Sequence, residues 1–299
     1  MSSYERIADL TPSRCECTFL TLIGHPASVF SDNAIIATRL RWRVRCLSVH
    51  PASGSVIWEM LAKMTSVTRT SIRLLTAVAI RSQINELIGT FERSHDLAVD
   101  AAFDLNPNVP KRILMGEPFD VGMTNPWYVG ELISEGKVDA GTHVPFGRIP
   151  LAIAKRSGSP DAVLTSHEDI CDLLLRAKSI AYTSEGTSGK TFLEVTGRLG
   201  VSNGISQRTK PMGPGQPVIA AAAGDAELAV APLTVVMAAP GVDTVAIFPS
   251  DLRADIDMSV FLSIDARSKD QGMQLVEFLS GRSIDSYLAS KGVVRFSLT

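Results

Sequence analysis

The chain has 299 residues, of which 45% are hydrophobic and 20% are charged, and its formal net charge at pH 7 is −2. This length and apolar content are sufficient for one large or two modest domains with a sizeable core. A net charge so close to zero excludes a global basic field that would attract nucleic acid, so we expect no nucleic-acid partner. No stretch reaches the length of an apolar membrane span, and we expect no membrane insertion.

The cysteines and histidines indicate neither a metal site nor a disulfide framework. Cys15 and Cys17 form a C-x-C pair without a second pair or adjacent histidines, while Cys46 and Cys171 stand apart. No two of the five histidines have ligand spacing. We therefore predict that the protein holds no metal ion and no other cofactor.

Residues 1–70 show no sustained hydrophobic period and contain an alternating arginine run at positions 39 to 45. We interpret them as an N-terminal extension that is poorly ordered, or as a wrongly assigned start, with Met64 as a later candidate. The first 14 residues are polar and lack the apolar core of a secretory signal.

From Ser71 onward, short apolar strands alternate with amphipathic helices, which predicts an α/β fold with parallel sheets covered by helices. The predicted strands are 72–77, 97–103, 119–123, 148–156, 180–182, 228–231, 244–248 and 258–264. Ser82 is expected to cap the first helix, and Ser166 with Asp169 to form a capping box on a later one. The other predicted helices are 110–115, 128–134, 216–224, 269–280 and 284–290.

The organising stretch is residues 178–193, which are predicted to form a strand, a loop of small residues and a helix starting near Lys190. The helix is expected to bury one face, made of Phe192, Leu193, Val195 and Leu199. Free N–H groups and the helix dipole favour an anion at such a helix start. Hydroxyl groups add side-chain donors there, at Thr183, Ser184, Thr187 and Ser188.

Two alternatives exist for this loop. A nucleotide-binding P-loop would match the Gly-Lys-Thr end of residues 184–191, but Ser184 replaces its first glycine and Glu185 adds negative charge. A helix start with glycines that serve packing is the simpler alternative. We favour an anion or carboxylate site made of loop hydroxyls and amides.

The order of these elements resembles the type II periplasmic (extracellular solute-) binding proteins of the molybdate-binding branch, which also includes aconitate isomerases. The resemblance runs from Ile72 to Val294 and is carried by short stretches in a fixed order. These stretches include GEPFDV at 116–121, LISEGKV at 132–138, PLAIA at 150–154, GTSG at 186–189 and LASKG at 288–292.

The resemblance implies a two-lobed α/β fold in which each lobe is a mostly parallel sheet flanked by helices and the ligand cleft lies at the hinge. Lobe 1 is predicted to contain residues 71–147 and 258–299, and lobe 2 residues 148–257. The hinge crossings are expected near Arg148 and Met258.

The resemblance also implies that the cleft is lined by loops that follow the strands, as open α/β sheets require. The candidate ligand-binding residues in these loops are Arg81, Asn106, Thr124, Asn125, Ser184, Thr187, Ser188 and Thr234. The family usually has a serine directly after the first strand, where this chain has Val78, and a serine pair in the second loop, where it has Asn106 and Asn108. These departures favour an organic acid, for which Arg81 is either a clamp or a solvated residue.

The predicted function is that of a substrate-binding protein that closes its lobes on a small anion, with an ABC permease as partner and a monomer as the expected state. The alternative is an isomerase of the aconitate isomerase type, with Glu185 as general base and Tyr182 or Ser184 assisting. The resemblance implies a periplasmic location, whereas the absence of a visible signal peptide favours the cytoplasm.

Overall fold

A computed structural model describes residues 71–158 and 162–298, which contain nine β-strands and ten α-helices. The strands are β1 (Ser71–Ala77), β2 (Ala98–Asp104), β3 (Val121–Thr124), β4 (Val144–Arg156), β5 (Ile180–Thr183), β6 (Thr209–Met212), β7 (Leu228–Pro232), β8 (Val242–Ile247) and β9 (Asp255–Leu262). The predicted N-terminal extension, residues 1–70, lies outside the described residues.

The helices connect the strands or follow the last of them. They are α1 (Arg81–His95), α2 (Asn108–Leu114), α3 (Pro126–Ser134), α4 (His167–Arg176), α5 (Thr187–Arg198), α6 (Ser202–Ile205), α7 (Gln216–Ala223), α8 (Leu233–Ala238), α9 (Lys269–Ser280) and α10 (Asp285–Ser290). No helix in the described part of the chain is both long and apolar enough to cross a membrane.

The first sheet has the strand order β2-β1-β3-β9-β4. β1 lies parallel to β2 and β3, whereas β9 runs antiparallel to β3 and β4. Ile72 and Leu74 of β1 are buried, and they belong to the same core cluster as Ile84 and Phe91 of α1. This burial follows from the apolar spacing of both elements, since each places its hydrophobic residues on one side.

The second sheet is built on the other half of β4. β7 and β8 pair antiparallel with β4, β5 pairs parallel with β7, and β6 pairs parallel with β5. Because parallel β5 and β7 point the same way, the loops that follow them emerge at one edge, as in other α/β sheets. These loops lead into α5 and α8.

β4 has 13 residues and belongs to both sheets. Its residues from Val144 to Pro150 pair with β9, and those from Leu151 to Arg156 pair with β7 and β8. The backbone N–H of Leu151 donates to the carbonyl of Ala254, directly before β9 begins, at 2.8 Å. The change of partner thus lies between Pro150 and Leu151, while the predicted lobe boundaries and the hinge positions stay predictions.

Two predictions about helix ends have different outcomes. The hydroxyl of Ser166 accepts a hydrogen bond from the N–H of Asp169 at 3.1 Å, which confirms the predicted cap of α4. Ser82 does not cap α1, because a 3-10 turn at Val78–Ile80 runs directly into the helix, which begins at Arg81. The local apolar pattern predicted the helix but did not reveal the turn in front of it.

Candidate functional site

The start of α5 is held in place by two glycines. Gly186 precedes the helix with φ 100°, a conformation that side-chain-bearing residues rarely adopt. A Cβ on Gly189 would lie 1.8 Å from the carbonyl oxygen of Thr183, so the first turn packs directly against the end of β5. The helix begins at Thr187, three residues earlier than the sequence predicted, because both glycines serve this close approach.

The buried face of α5 also differs from the prediction. Phe192 and Val195 are fully buried, but Leu193 is 50% exposed. Thr191 and Thr196 take part in the buried face instead. A threonine can be buried in a helix when its hydroxyl donates to a backbone carbonyl of the preceding turn. Thr196 does so by donating to the Leu193 carbonyl at 2.9 Å.

The N-terminus of α5 is suited to an anion. Gly186 provides no capping side chain, and the first turn has no acidic residue. The first N–H groups of a helix have no partner within it, and the dipole favours negative charge at that end. The hydroxyls of Thr183 and Ser188 make no hydrogen bond to another described residue, so donors remain available beside this helix start.

A small cavity, here called the inner cavity, lies at this helix start and has a volume of about 50 Å³. Its polar lining residues are Asn106, Thr183, Thr187 and Ser188. Its larger aliphatic lining residues are Val78, Leu105, Val218, Val235 and Ile256. None of the described residues that line it carries a charge, so any anion there would be held by neutral donors.

Asn106 presents a donor to this cavity. The residue is 5% exposed, and both its backbone carbonyl and its Oδ1 accept from the hydroxyl of Thr124, at 3.0 and 3.3 Å. Thr124 thereby fixes the orientation of the amide. The Nδ2 group of Asn106 has no partner among the described residues, so this donor is available to an acceptor in the cavity.

The side chains of three other predicted residues form hydrogen bonds within the protein. The hydroxyl of Thr187 donates to Oδ1 of Asn125 at 2.7 Å, and Nδ2 of Asn125 donates to the Asp257 carbonyl at 2.7 Å. The hydroxyl of Thr234 donates to the Ala79 carbonyl at 2.6 Å. These bonds join the start of α5 to β9 and the start of α8 to the turn before α1.

Arg81, Ser184 and Glu185 do not line the inner cavity, and neither do Thr124, Asn125 and Thr234. Arg81 is exposed, and its guanidinium lies 4.8 Å from the centre of the Phe103 ring. Ser184 is exposed and donates to the Met212 carbonyl at 3.1 Å. Glu185 is exposed as well. Their roles in binding or catalysis stay predictions.

A second and larger depression, here called the outer groove, shares Gly186 and Thr187 with the inner cavity and has a volume of about 760 Å³. Its charged lining residues are Arg148, Lys190, Arg198, Arg253, Glu194, Asp251, Asp255 and Asp257. Lys190 has an 81% exposed side chain and lies 4.0 Å from Glu194. Lys190, the lysine of the P-loop alternative, thus lines the outer groove and not the inner cavity.

The charges of the outer groove interact mainly with each other. Arg148 donates two hydrogen bonds to the Asp257 carboxylate, at 2.6 and 2.8 Å, and this contact raises the pKa of Arg148. Arg198 donates to the Leu252 carbonyl. Burial raises the pKa of the Asp255 carboxyl, an effect that the nearby Arg148 partly opposes. The groove thus combines fixed ion pairs with one desolvated carboxyl.

Comparison with known proteins decides the family. The model of the bacterial extracellular solute-binding proteins matches residues 72–293. The chain belongs to this family. The match covers the whole region for which the sequence indicated the resemblance, and it confirms that assignment.

Relatives of this solute-binding protein include a curated enzyme and solved structures. It is 22% identical over 249 residues to an aconitate isomerase from a Pseudomonas species, covering 81% of this chain and 94% of that one. It is similar to the periplasmic molybdate-binding protein of Azotobacter vinelandii, with 18% identity, a TM-score of 0.64 and 75% and 98% of the two chains covered.

A third relative is the substrate-binding domain of a putative molybdenum ABC transporter from Clostridium difficile. The two share 13% identity with a TM-score of 0.63, and the match covers 76% of this chain and 99% of that one. These structural likenesses confirm the two-lobed α/β fold of a type II binding protein.

Sequence reasoning missed the apolar part of the inner cavity and the desolvated carboxyl of the outer groove. Val218 and Val235 have the same local pattern as core residues, so no sequence signal separates a cavity wall from a packed face. Asp255 lies at the start of β9, and only the fold brings it next to Arg148. Thr183 was recognised as a donor but not as a lining residue.

Proposed function

We propose that this protein is a substrate-binding protein that closes two lobes on a small anion and delivers it to an ABC permease. The observation that carries the proposal is the set of unpaired neutral donors at the inner cavity, where Asn106, Thr183 and Ser188 surround the start of α5. Membership in the solute-binding family supports the same conclusion.

The physical basis is the strength of hydrogen bonds to an ionised acceptor. Such bonds contribute roughly 1.5–3 kcal/mol each, about twice the value for neutral pairs. Helix N–H groups and a dipole add a preference for negative charge without a counter-cation. A neutral lining also lets the protein release the anion again, because no buried ion pair must be broken.

The competing proposal is an isomerase that moves a proton on an unsaturated polycarboxylate, as the name of the Pseudomonas relative suggests. It requires a general base that reaches the substrate carbon. Glu185, the predicted base, is exposed and does not line the inner cavity. Solvent exchange of the aconitate vinyl proton in deuterium oxide, followed by NMR and lost in Glu185→Gln, would favour this proposal over simple binding.

A thermal-shift screen of the full chain tests the binding proposal. Oxyanions and mono-, di- and tricarboxylates are compared, since a ligand present at a hundred times its Kd stabilises the fold by about 2.7 kcal/mol. The Asn106→Ala variant should lose the shift caused by the best anion, whereas Asn203→Ala, at an exposed position, should keep it. An equal shift in both variants would contradict the proposal that the anion occupies the inner cavity.

A further inference from the structure

We infer that the ligand of the inner cavity is a short organic monocarboxylate with an apolar tail. This inference rests on the proposed function and narrows it from small anions in general to one chemical class. Two competing classes are tetrahedral dianions, such as sulfate or molybdate, and polycarboxylates. The lining, charge and size of the cavity distinguish between these three classes of ligand.

The donors of the cavity come from segments that meet at the start of α5. Thr183 ends β5, and Ser188 lies in the first turn of α5. Asn106 joins them because Leu105, its neighbour, packs against Gly186, where a Cβ would lie 3.2 Å from Cδ2 of Leu105. This grouping suits a carboxylate, whose two oxygens lie together at one end of the molecule.

The rest of the lining is aliphatic and comes from other elements. Val218 belongs to α7, Val235 to α8 and Ile256 to β9. A tetrahedral dianion has oxygens on every side and would press some of them against these methyl groups without a donor. Burying a charged oxygen in that way is strongly unfavourable, whereas a short hydrocarbon tail gains from the same contact.

The absence of charge in the lining also favours a ligand with a single negative charge. No cationic side chain is among the described residues of the cavity, so a ligand's charge is offset by neutral donors and a helix end equivalent to about half an elementary charge. That arrangement is adequate for one negative charge. A buried double or triple charge would need paired cations. Three of the four cations of the outer groove, Arg148, Lys190 and Arg198, are instead directed to Asp257, Glu194 and a backbone carbonyl, and the fourth, Arg253, does not line the inner cavity.

Size excludes the polycarboxylates from the inner cavity. A water molecule needs roughly 10–15 Å³ of such volume, so a cavity of about 50 Å³ holds roughly three to five atoms of that size. Acetate and propionate match this range, whereas aconitate is far larger.

Competition calorimetry on the full chain tests the inference with formate, acetate, propionate and butyrate against sulfate, molybdate and aconitate. Each buried methylene should raise the affinity about fourfold until the cavity is full, near propionate. Sulfate, molybdate and aconitate should give no heat that competes with propionate. Propionamide, which has the same shape without charge, should bind at least tenfold more weakly.

Two valine substitutions test whether the apolar tail of the ligand contacts Val235 and Val218. Val235→Thr keeps the size of a lining residue but adds a hydroxyl, and it should abolish the preference for propionate over acetate. Val218→Thr provides an independent second test on α7. Val294→Thr, at a residue that is 61% exposed, should leave the preference unchanged.

The outcomes separate this inference from the proposed function. If sulfate or molybdate binds more tightly than any monocarboxylate, and Asn106→Ala removes that binding, the inference is wrong and the anion-binding proposal stands. If no anion binds, or if propionamide binds as well as propionate, both are wrong. A preference for propionate that survives in Val235→Thr and Val218→Thr overturns the assignment of the apolar wall.

Discussion

The inner cavity and the outer groove touch the same helix start at Gly186 and Thr187, yet they are opposite in character. The cavity is small, uncharged and partly apolar, with unpaired donors. The groove is some fifteen times larger and charged, but its most ordered charges are paired with each other, as in Arg148 and Asp257. This difference is the basis of our proposal that neutral donors recognise the anion, whereas the pair of Arg148 and Asp257 links β4 to β9.

The largest expected effect comes from the glycine on which both regions depend. Gly189→Ala forces a Cβ to within 1.8 Å of the Thr183 carbonyl, so the helix start must move away from β5. We expect a loss of more than about 2 kcal/mol in the free energy of unfolding, together with loss of anion binding. Urea denaturation and calorimetry measure the two effects.

Gly130→Ala is the matched control for this prediction. Gly130 lies inside α3, and a Cβ there meets no atom within 4 Å. Because alanine restricts the unfolded chain and favours helix, this variant should be stabilised by about 0.4–1 kcal/mol. Equal effects of the two substitutions would contradict the view that the start of α5 is held by backbone contact.

A medium effect is expected in the outer groove. A double-mutant cycle of Arg148→Gln and Asp257→Asn should give a coupling energy of about 1–2 kcal/mol, since the pair is doubly hydrogen-bonded and Asp257 is only 20% exposed. The same cycle at Arg176 and Asp172, which are 82% and 63% exposed, should give less than about 0.5 kcal/mol.

The same variants sharpen the contrast between the two regions. Neither Arg148 nor Asp257 lines the inner cavity, so the affinity for the best anion should change less than about threefold, a difference below 1 kcal/mol. A loss of affinity as large as that in Asn106→Ala would show that the charged groove, rather than the neutral cavity, recognises the anion.

The smallest expected effect concerns the desolvated carboxyl. Burial raises the pKa of Asp255 in the folded protein above its unfolded value, so the folded state binds the proton more tightly. Stability from this group is fully present below the unfolded pKa and is lost as the pH rises through the folded pKa. Asp255→Asn should therefore raise the Tm slightly at pH 7, and the gain should shrink towards pH 4.

Asp225→Asn is the control for the pH effect, because Asp225 is exposed. Its Tm difference from the unmodified protein should stay near zero across the same pH range. A gain for Asp255→Asn that grows towards acid pH would contradict a raised pKa.

The sequence predicted the fold well where the pattern was long and periodic. The helix at 269–280 was predicted with the observed bounds of α9, and the alternation of strands and helices predicted the α/β fold class. Three short elements were missed because four to six residues carry too little periodicity, namely α6 at Ser202–Ile205, β6 at Thr209–Met212 and α8 at Leu233–Ala238. Strand ends shifted by one to four residues, as in β9, which begins at Asp255 instead of 258, and β4, which begins at Val144 instead of 148.

The site was predicted in part, for a physical reason. Loops that follow strands were expected to converge, and Asn106, Thr187 and Ser188 do line one cavity. Arg81 was expected there because guanidinium groups bind carboxylates, but it lies over Phe103 instead. Side-chain direction at a helix start depends on the preceding turn, here Val78–Ile80, which the sequence pattern did not reveal.

The most direct test of the central claim compares two serines of the same loop by calorimetry with the best anion. Ser188 lines the inner cavity and its hydroxyl has no partner among the described residues, whereas Ser184 is exposed and donates to the Met212 carbonyl. Ser188→Ala should weaken binding roughly tenfold to a hundredfold, the cost of one hydrogen bond to a charged ligand, and Ser184→Ala less than about threefold. Equal affinities in the two variants would contradict recognition of the anion by neutral donors at the start of α5.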